Sequence, residues 1–175
     1  AISQRLVYNL TMNELQLWIN ELKLEKHVEG GFYRRAYTCK KAFKEDDLPL
    51  RKGERPYFTT IYYALPQGGI SMLHRLKSDE TWFFHAGGVL KIYKISANDS
   101  LKIEKLGMNL IAGERPQITL EAGTWFAAAA DESPALVSCA VVPGFSFEDF
   151  ELAEPKTIKE LIKKHPELRK FLPVF

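Results

Sequence analysis

Gly68-Gly69-Ile70-Ser71-Met72-Leu73-His74-Arg75-Leu76-Lys77-Ser78-Asp79-Glu80, continuing through Trp82 to Gly87, reads as two short strands joined by a tight turn. Strand side chains alternate between faces, so His74 and Leu76 share one side. Beyond the turn, Glu80, Trp82 and Phe84 share one face of the next strand. If this hairpin curls over the interior of a barrel, His74 and Glu80 converge inside it.

Outward from this hairpin the pattern stays β. Tyr57 to Leu65 is rich in β-branched and aromatic residues, and Pro66 to Gly69 is a turn. Short strands are expected at Phe32 to Thr38, Leu90 to Ser96, Leu101 to Leu106, Gln117 to Leu120, Thr124 to Ala129 and Leu136 to Val142. Gly87-Gly88, Asn98-Asp99, Ala122-Gly123 and Ser133-Pro134 punctuate them. Many short strands at regular spacing imply a sandwich or barrel. Residues 40 to 56 are charged and hold Pro49, Gly53 and Pro56, which predicts a surface loop. Thr11 with Glu14 three residues on predicts a helix start over residues 12 to 23. Its apolar face is Leu15, Trp18, Ile19 and Leu22. The segment Leu24 to Gly31 is expected to close that element at the Gly30-Gly31 pair. A tail over residues 155 to 172 has helical spacing and alternating charge. The chain reads as one domain over 1 to 175, with its barrel core at about 32 to 153.

The 175 residues carry a net charge of +2, with 24 basic against 22 acidic side chains. That balance gives no argument for nucleic acid or a membrane surface. The longest apolar run, Ala122 to Ala130, falls short of the ~18 residues a membrane span needs. Cys39 and Cys139 form no metal-type pair, and two reduced thiols fit a cytoplasmic location.

Several strings, in order, carry a family resemblance. Gly68, His74, Glu80 and Gly87 match the first cupin motif in register, with Leu76 where the second histidine belongs. Glu121 to Phe126 resembles a degenerate second motif that keeps Gly123 and ends in Phe126 in place of histidine. His27-Val28-Glu29-Gly30-Gly31, His74 to Trp82, Gly113 to Gln117, Ala122 to Trp125 and Pro143 to Ala153 resemble the DUF985 group of cupins. The resemblance implies an all-β double-stranded β-helix, a jelly-roll barrel, usually dimeric. It departs from the family pattern at Val28, Arg35, Ala36, Phe83 and Phe126, which makes the expected pocket more apolar.

Cupin metal sites use three histidines and one glutamate. Two of those four positions survive here, and a firmly held transition metal needs at least three protein ligands. The expectation is therefore no cofactor, with at most weak residual metal binding at His74 and Glu80. Without metal, a histidine hydrogen-bonded to a carboxylate is a general base near neutral pH. His74 and Glu80 are the candidate catalytic pair. Tyr33, Arg35, Tyr62, Trp82, Phe84 and Phe126 are candidates for the ligand pocket. Tyr33, Tyr62 and Tyr63 are candidate acids. Arg35 or Arg75 could hold an anionic group, but strand alternation turns Arg75 outward when His74 points in. The functional readings are a metal-independent isomerase or epimerase acting on a sugar-like or other polar metabolite, and a non-catalytic binding protein or sensor. A metal-dependent oxygenase ranks below both. The polar pair also reads as a satisfied relic, and the aromatic trio Trp82, Phe84 and Phe126 as core packing. A homodimer is expected.

Overall fold

The structure, a computed structural model, describes residues 13–49 and 51–172. The proposed cap at Thr11 lies outside them. The helix α1, Glu14–Leu22, begins instead at Asn13, whose side chain accepts a hydrogen bond from the Gln16 amide at 2.8 Å. Lys23 ends it in the left-handed conformation, and the Leu24 amide reaches back to the Ile19 carbonyl.

Thirteen strands follow among the described residues: β1 Glu25–Lys26, β2 Phe32–Thr38, β3 Ala42–Phe43, β4 Arg55–Pro56, β5 Thr59–Leu65, β6 Gly69–Leu76, β7 Asp79–Gly87, β8 Leu90–Ile95, β9 Leu101–Leu106, β10 Gln117–Leu120, β11 Trp125–Ala130, β12 Ala135–Val142 and β13 Phe150–Leu152. They form two large antiparallel sheets, β1-β2-β5-β12-β7-β10 and β13-β6-β11-β8-β9. Consecutive strands β6 and β7 lie in different sheets, so the turn between them crosses from one wall to the other. This is the double-stranded β-helix that the sequence motifs imply. Two details differ from expectation. The segment after α1 contains β1, which pairs with the start of β2. The expected loop over 40 to 56 holds the small β3-β4 hairpin and a 3-10 turn at Glu45–Asp47.

Side-chain alternation builds three apolar layers. Between the sheets lie Tyr63, Leu65, Trp82, Leu90, Ile92, Leu106, Leu120, Phe126, Val137 and Cys139. The outer face of the six-stranded sheet takes the apolar stripe of α1: Trp18 packs with Ala64 and Leu136, joined by Leu15, Ile19 and Leu22. The outer face of the five-stranded sheet is covered by α2, Pro155–Lys164, and a 3-10 turn, Pro166–Phe171. Ile158, Leu161, Leu168 and Phe171 press there on Leu73, Tyr93, Ala127 and Ala129. The run of alanines in β11 explains that closeness: Phe126, Ala128 and Ala130 face the interior, while the small Ala127 and Ala129 let the tail approach. Burying side chains such as Ile158 and Phe171 contributes about 2 kcal/mol each. Among the described residues no helix is long and apolar enough to cross a membrane.

Candidate functional site

His74 on β6 and Glu80 on β7 are both buried, at 2% and 6% exposure, and both line one cavity between the sheets. The cavity is a narrow cleft, about 50 Å³, open on one side. Its floor is His27, Glu29, His74 and Glu80. Its walls include Tyr33, Arg35, Thr59, Ile61, Leu76 and Val141, and its roof is Phe145, Phe147 and Phe150.

The carboxylate that meets His74 is not the expected one. Glu29 stands there, with Oε2 at 3.3 Å from His74 Nε2. Glu29 reaches the floor because of the glycines that follow it. Gly30 has φ +106°, and a Cβ on it would lie 2.3 Å from the Ile70 carbonyl oxygen; Gly31 has φ +69° and the same conflict with the Ala64 carbonyl. Only glycine accepts both the left-handed backbone and the close approach. The chain therefore folds tightly over the barrel end, with the His27 amide donating to the Gly31 carbonyl and the Met72 amide to the Glu29 carbonyl. The Ser71 hydroxyl donates to Glu29 Oε1 at 3.0 Å. His27 Nδ1 lies 3.7 Å from Glu29 Oε2.

The tautomer of His74 follows from its neighbours. Nδ1 lies 2.6 Å from the Met72 carbonyl oxygen, which can only accept, so Nδ1 carries a hydrogen. Nε2 then faces a carboxylate oxygen. That contact needs one proton, held either by the imidazole or by Glu29. Ring contacts fix the imidazole further: Phe126 lies 4.1 Å and Phe150 5.3 Å from it, centroid to centroid.

Burial governs the charge states. It pushes the Glu29 carboxyl up to about 6, against the pull of His27 and the Ser71 hydrogen bond. It pushes Glu80 up to about 7, against the pull of His74. It lowers both His74 and His27 from the ordinary histidine range. Glu80 Oε2 is buried and has no hydrogen-bond partner among the described residues. Burial thus raises both carboxyls of the cluster and keeps both imidazoles toward their neutral form.

Of the other sequence candidates, Tyr33 and Arg35 line the cavity. Phe126 backs the His74 ring. Trp82 and Phe84 belong to the core between the sheets, behind the cavity wall. Tyr62 corrects its expectation: β5 alternation turns it to the outer face, against α1 and near His85, while Tyr63 points inward. Tyr63 is committed in any case, donating its hydroxyl to the Gly30 carbonyl at 2.8 Å. Arg75 is outside, paired with Glu151 and lying over Trp125.

Sequence reasoning missed Glu29, His27 and the roof phenylalanines as parts of a site. Their strings were visible only as family resemblance. The physical signal was an acidic residue immediately before two glycines, but nothing local says which wall that turn approaches.

A cupin metal centre would need histidines at two further positions of the barrel. The positions of the second and final motif histidines are Leu76, in the cavity wall, and Phe126, against the imidazole. His74 Nε2 is turned to Glu29. No group of three or more His, Cys, Asp or Glu among the described residues is arranged to hold a metal ion. These residues do not fit that centre.

Comparison with known proteins agrees with the architecture. The family model described as "Cupin superfamily (DUF985)" matches residues 16–153. A solved protein of Shewanella oneidensis is 39% identical, covering 93% of this chain and 99% of its own, with TM-score 0.81. A hypothetical protein from Leishmania major is 30% identical, covering 93% and 100%, with TM-score 0.80. Oxalate decarboxylase of Bacillus subtilis shares the fold alone, at 16% identity over 85% of this chain and 37% of its own, TM-score 0.53. No curated protein matches the chain.

Proposed function

This chain belongs to the DUF985 family of the cupin superfamily, and from that premise we propose that it binds a small polar metabolite in its barrel and moves a proton on it without a metal, as an isomerase or epimerase does. One observation carries the reading: a tautomer-locked imidazole lies 3.3 Å from Glu29, and buried Glu80 lines the same cavity. A carboxyl raised to about 7 is well matched to accept a proton at neutral pH. His74 and Glu80 sit on different sheets, which suits removal of a proton from one face of a carbon and return to the other.

The step balances as follows. Glu80 as carboxylate takes a proton from a carbon beside a carbonyl, and the electron pair moves into that carbonyl. In the fraction of molecules with Glu80 ionised and the His74–Glu29 contact protonated, that proton is delivered to the opposite face of the carbon as the carbonyl re-forms. Glu80 returns its proton to water at the mouth, and the His74–Glu29 pair recovers one from the same source.

A second reading is a non-catalytic binding protein. The apolar walls favour it, as does the engagement of Tyr63, the inward tyrosine that could serve as acid, with Gly30. Sugars, sugar phosphates and keto acids incubated with the protein in heavy water separate the two. Deuterium incorporated by wild type and lost in His74→Ala and Glu80→Gln supports proton transfer. A ligand that stabilises the protein through His74 but returns unlabelled supports binding alone. A ligand whose effect is unchanged in both variants removes the site assignment. The proposal extends to a cytoplasmic homodimer, a compartment compatible with free Cys39 and Cys139.

A further inference from the structure

The cavity contains one side chain whose charge is permanent. Arg35, on β2, lines the wall beside Tyr33 and the roof residue Phe145. Its guanidinium carbon lies 5.6 Å from the Phe145 ring centroid. No hydrogen bond or ion pair engages this guanidinium among the described residues, although the cluster at the floor holds two carboxylates. Arg51 and Arg55, by contrast, each face Asp149, and Arg75 pairs with Glu151. Burial lowers the Arg35 pKa, so its cation is held partly out of water without an anion to offset the loss. At the floor, Glu80 Oε2 is likewise buried without a partner.

We infer that the ligand of this cavity is a small hydroxycarboxylate, its carboxylate forked onto Arg35 and its hydroxyl donating to Glu80 Oε2. This rests on the reading that the cavity binds a small metabolite, and it names the class. The unpaired Arg35 cation and the Glu80 carboxyl, both lining the cavity, are complementary to the two ends of such a molecule. A planar guanidinium fork matches a carboxylate bidentately. One cation facing two floor carboxylates favours a singly charged ligand over a phosphoryl dianion. Ile61, Val141, Phe145 and Phe150 leave an apolar sleeve for the carbon chain between the two polar ends.

The test is calorimetric titration of the full chain at pH 7. The probes are hydroxybutyrates, the matched butanediols that lack a carboxylate, butyrate, which lacks the hydroxyl, and inorganic phosphate. Wild type is expected to bind a hydroxybutyrate at least tenfold more tightly than the other three. Arg35→Gln is expected to remove that preference and leave diol binding unchanged, and Arg35→Lys to restore part of it. Retained circular dichroism and thermal unfolding of both variants exclude misfolding as the cause. Diol bound as tightly as hydroxybutyrate, or a preference that survives Arg35→Gln, overturns the inference and leaves the binding cavity standing. Phosphate as the tightest probe overturns the carboxylate class. Binding of none of the four overturns the inference, and the heavy-water experiment then decides separately whether the cavity handles another metabolite.

Discussion

Glu80 loses its water shell in the barrel and receives no hydrogen bond at Oε2 in return. Its carboxyl moves from 4.5 to about 7, chiefly through burial. The consequence for stability has a definite sign. Below about pH 4.5 both folded and unfolded chains hold the proton, and the group is neutral for stability. Between there and about pH 7 the unfolded chain sheds the proton first, so stability falls as pH rises, and it levels off above. Each pKa unit is about 1.4 kcal/mol, which makes the full penalty of order 3 kcal/mol. Glu80→Gln keeps the shape and removes the charge. It is expected to melt several °C above wild type at pH 8 and alongside it near pH 4, as read by thermal unfolding at both values. An equal or lower melting temperature at pH 8 removes the claim that this carboxylate is held at a cost.

The roof over the cavity depends on an element that looks unremarkable in sequence. Arg55, in the charged segment before β5, is buried, and it forks onto Asp149 with contacts of 2.8 and 3.1 Å. It also reaches Glu148 at 2.9 Å. Asp149 sits between Phe147 and Phe150, so Arg55, with Arg51 at 3.6 Å from the same carboxylate, pins the aromatic segment against β6. The Lys77 amide adds a bond to the Asp149 carbonyl, and β13 continues the sheet beside His74. Removing Arg55 leaves the buried Asp149 only the looser Arg51 contact at 3.6 Å, at a cost of about 3 kcal/mol. Arg55→Gln is therefore expected to lose that much in urea unfolding. Amide exchange should quicken at Lys77 and Phe150 before the rest of the barrel. A loss under about 1 kcal/mol with unchanged exchange would show that the roof is held by its phenylalanines alone.

At the scale of the whole molecule, helices cover the outer face of each sheet, and among the described residues most of β2 lies at a sheet edge. Among the described residues β1 pairs only with Phe32 and Tyr33, leaving Arg34 to Thr38 as an edge. Tyr37 and Phe58 pack together there, 48% and 38% exposed. Free strand edges beside apolar side chains invite pairing with a second copy. Light scattering is expected to give twice the chain mass. A monomer at micromolar concentration would refute the homodimer, and a dimer that survives Tyr37→Lys and Phe58→Lys would place its interface elsewhere.

The chain's own order of residues determined the barrel, its strands and the inward facing of His74 and Glu80. Alternation has a period of two, and turn residues mark its breaks, so both are local properties that survive without a partner in view. The same rule placed Arg75 outside, and it shows Tyr62 turned away once the inward face of β5 is known from Tyr63. Only the tertiary structure decided that Glu29, not Glu80, meets the imidazole. Only it showed that Arg55 meets a residue 94 positions away, and that Arg35 is left without a counter-ion. These are meetings between distant segments, set by how a glycine turn and a roof segment close over the barrel end. Side-chain chemistry alone does not encode which of several carboxylates arrives first.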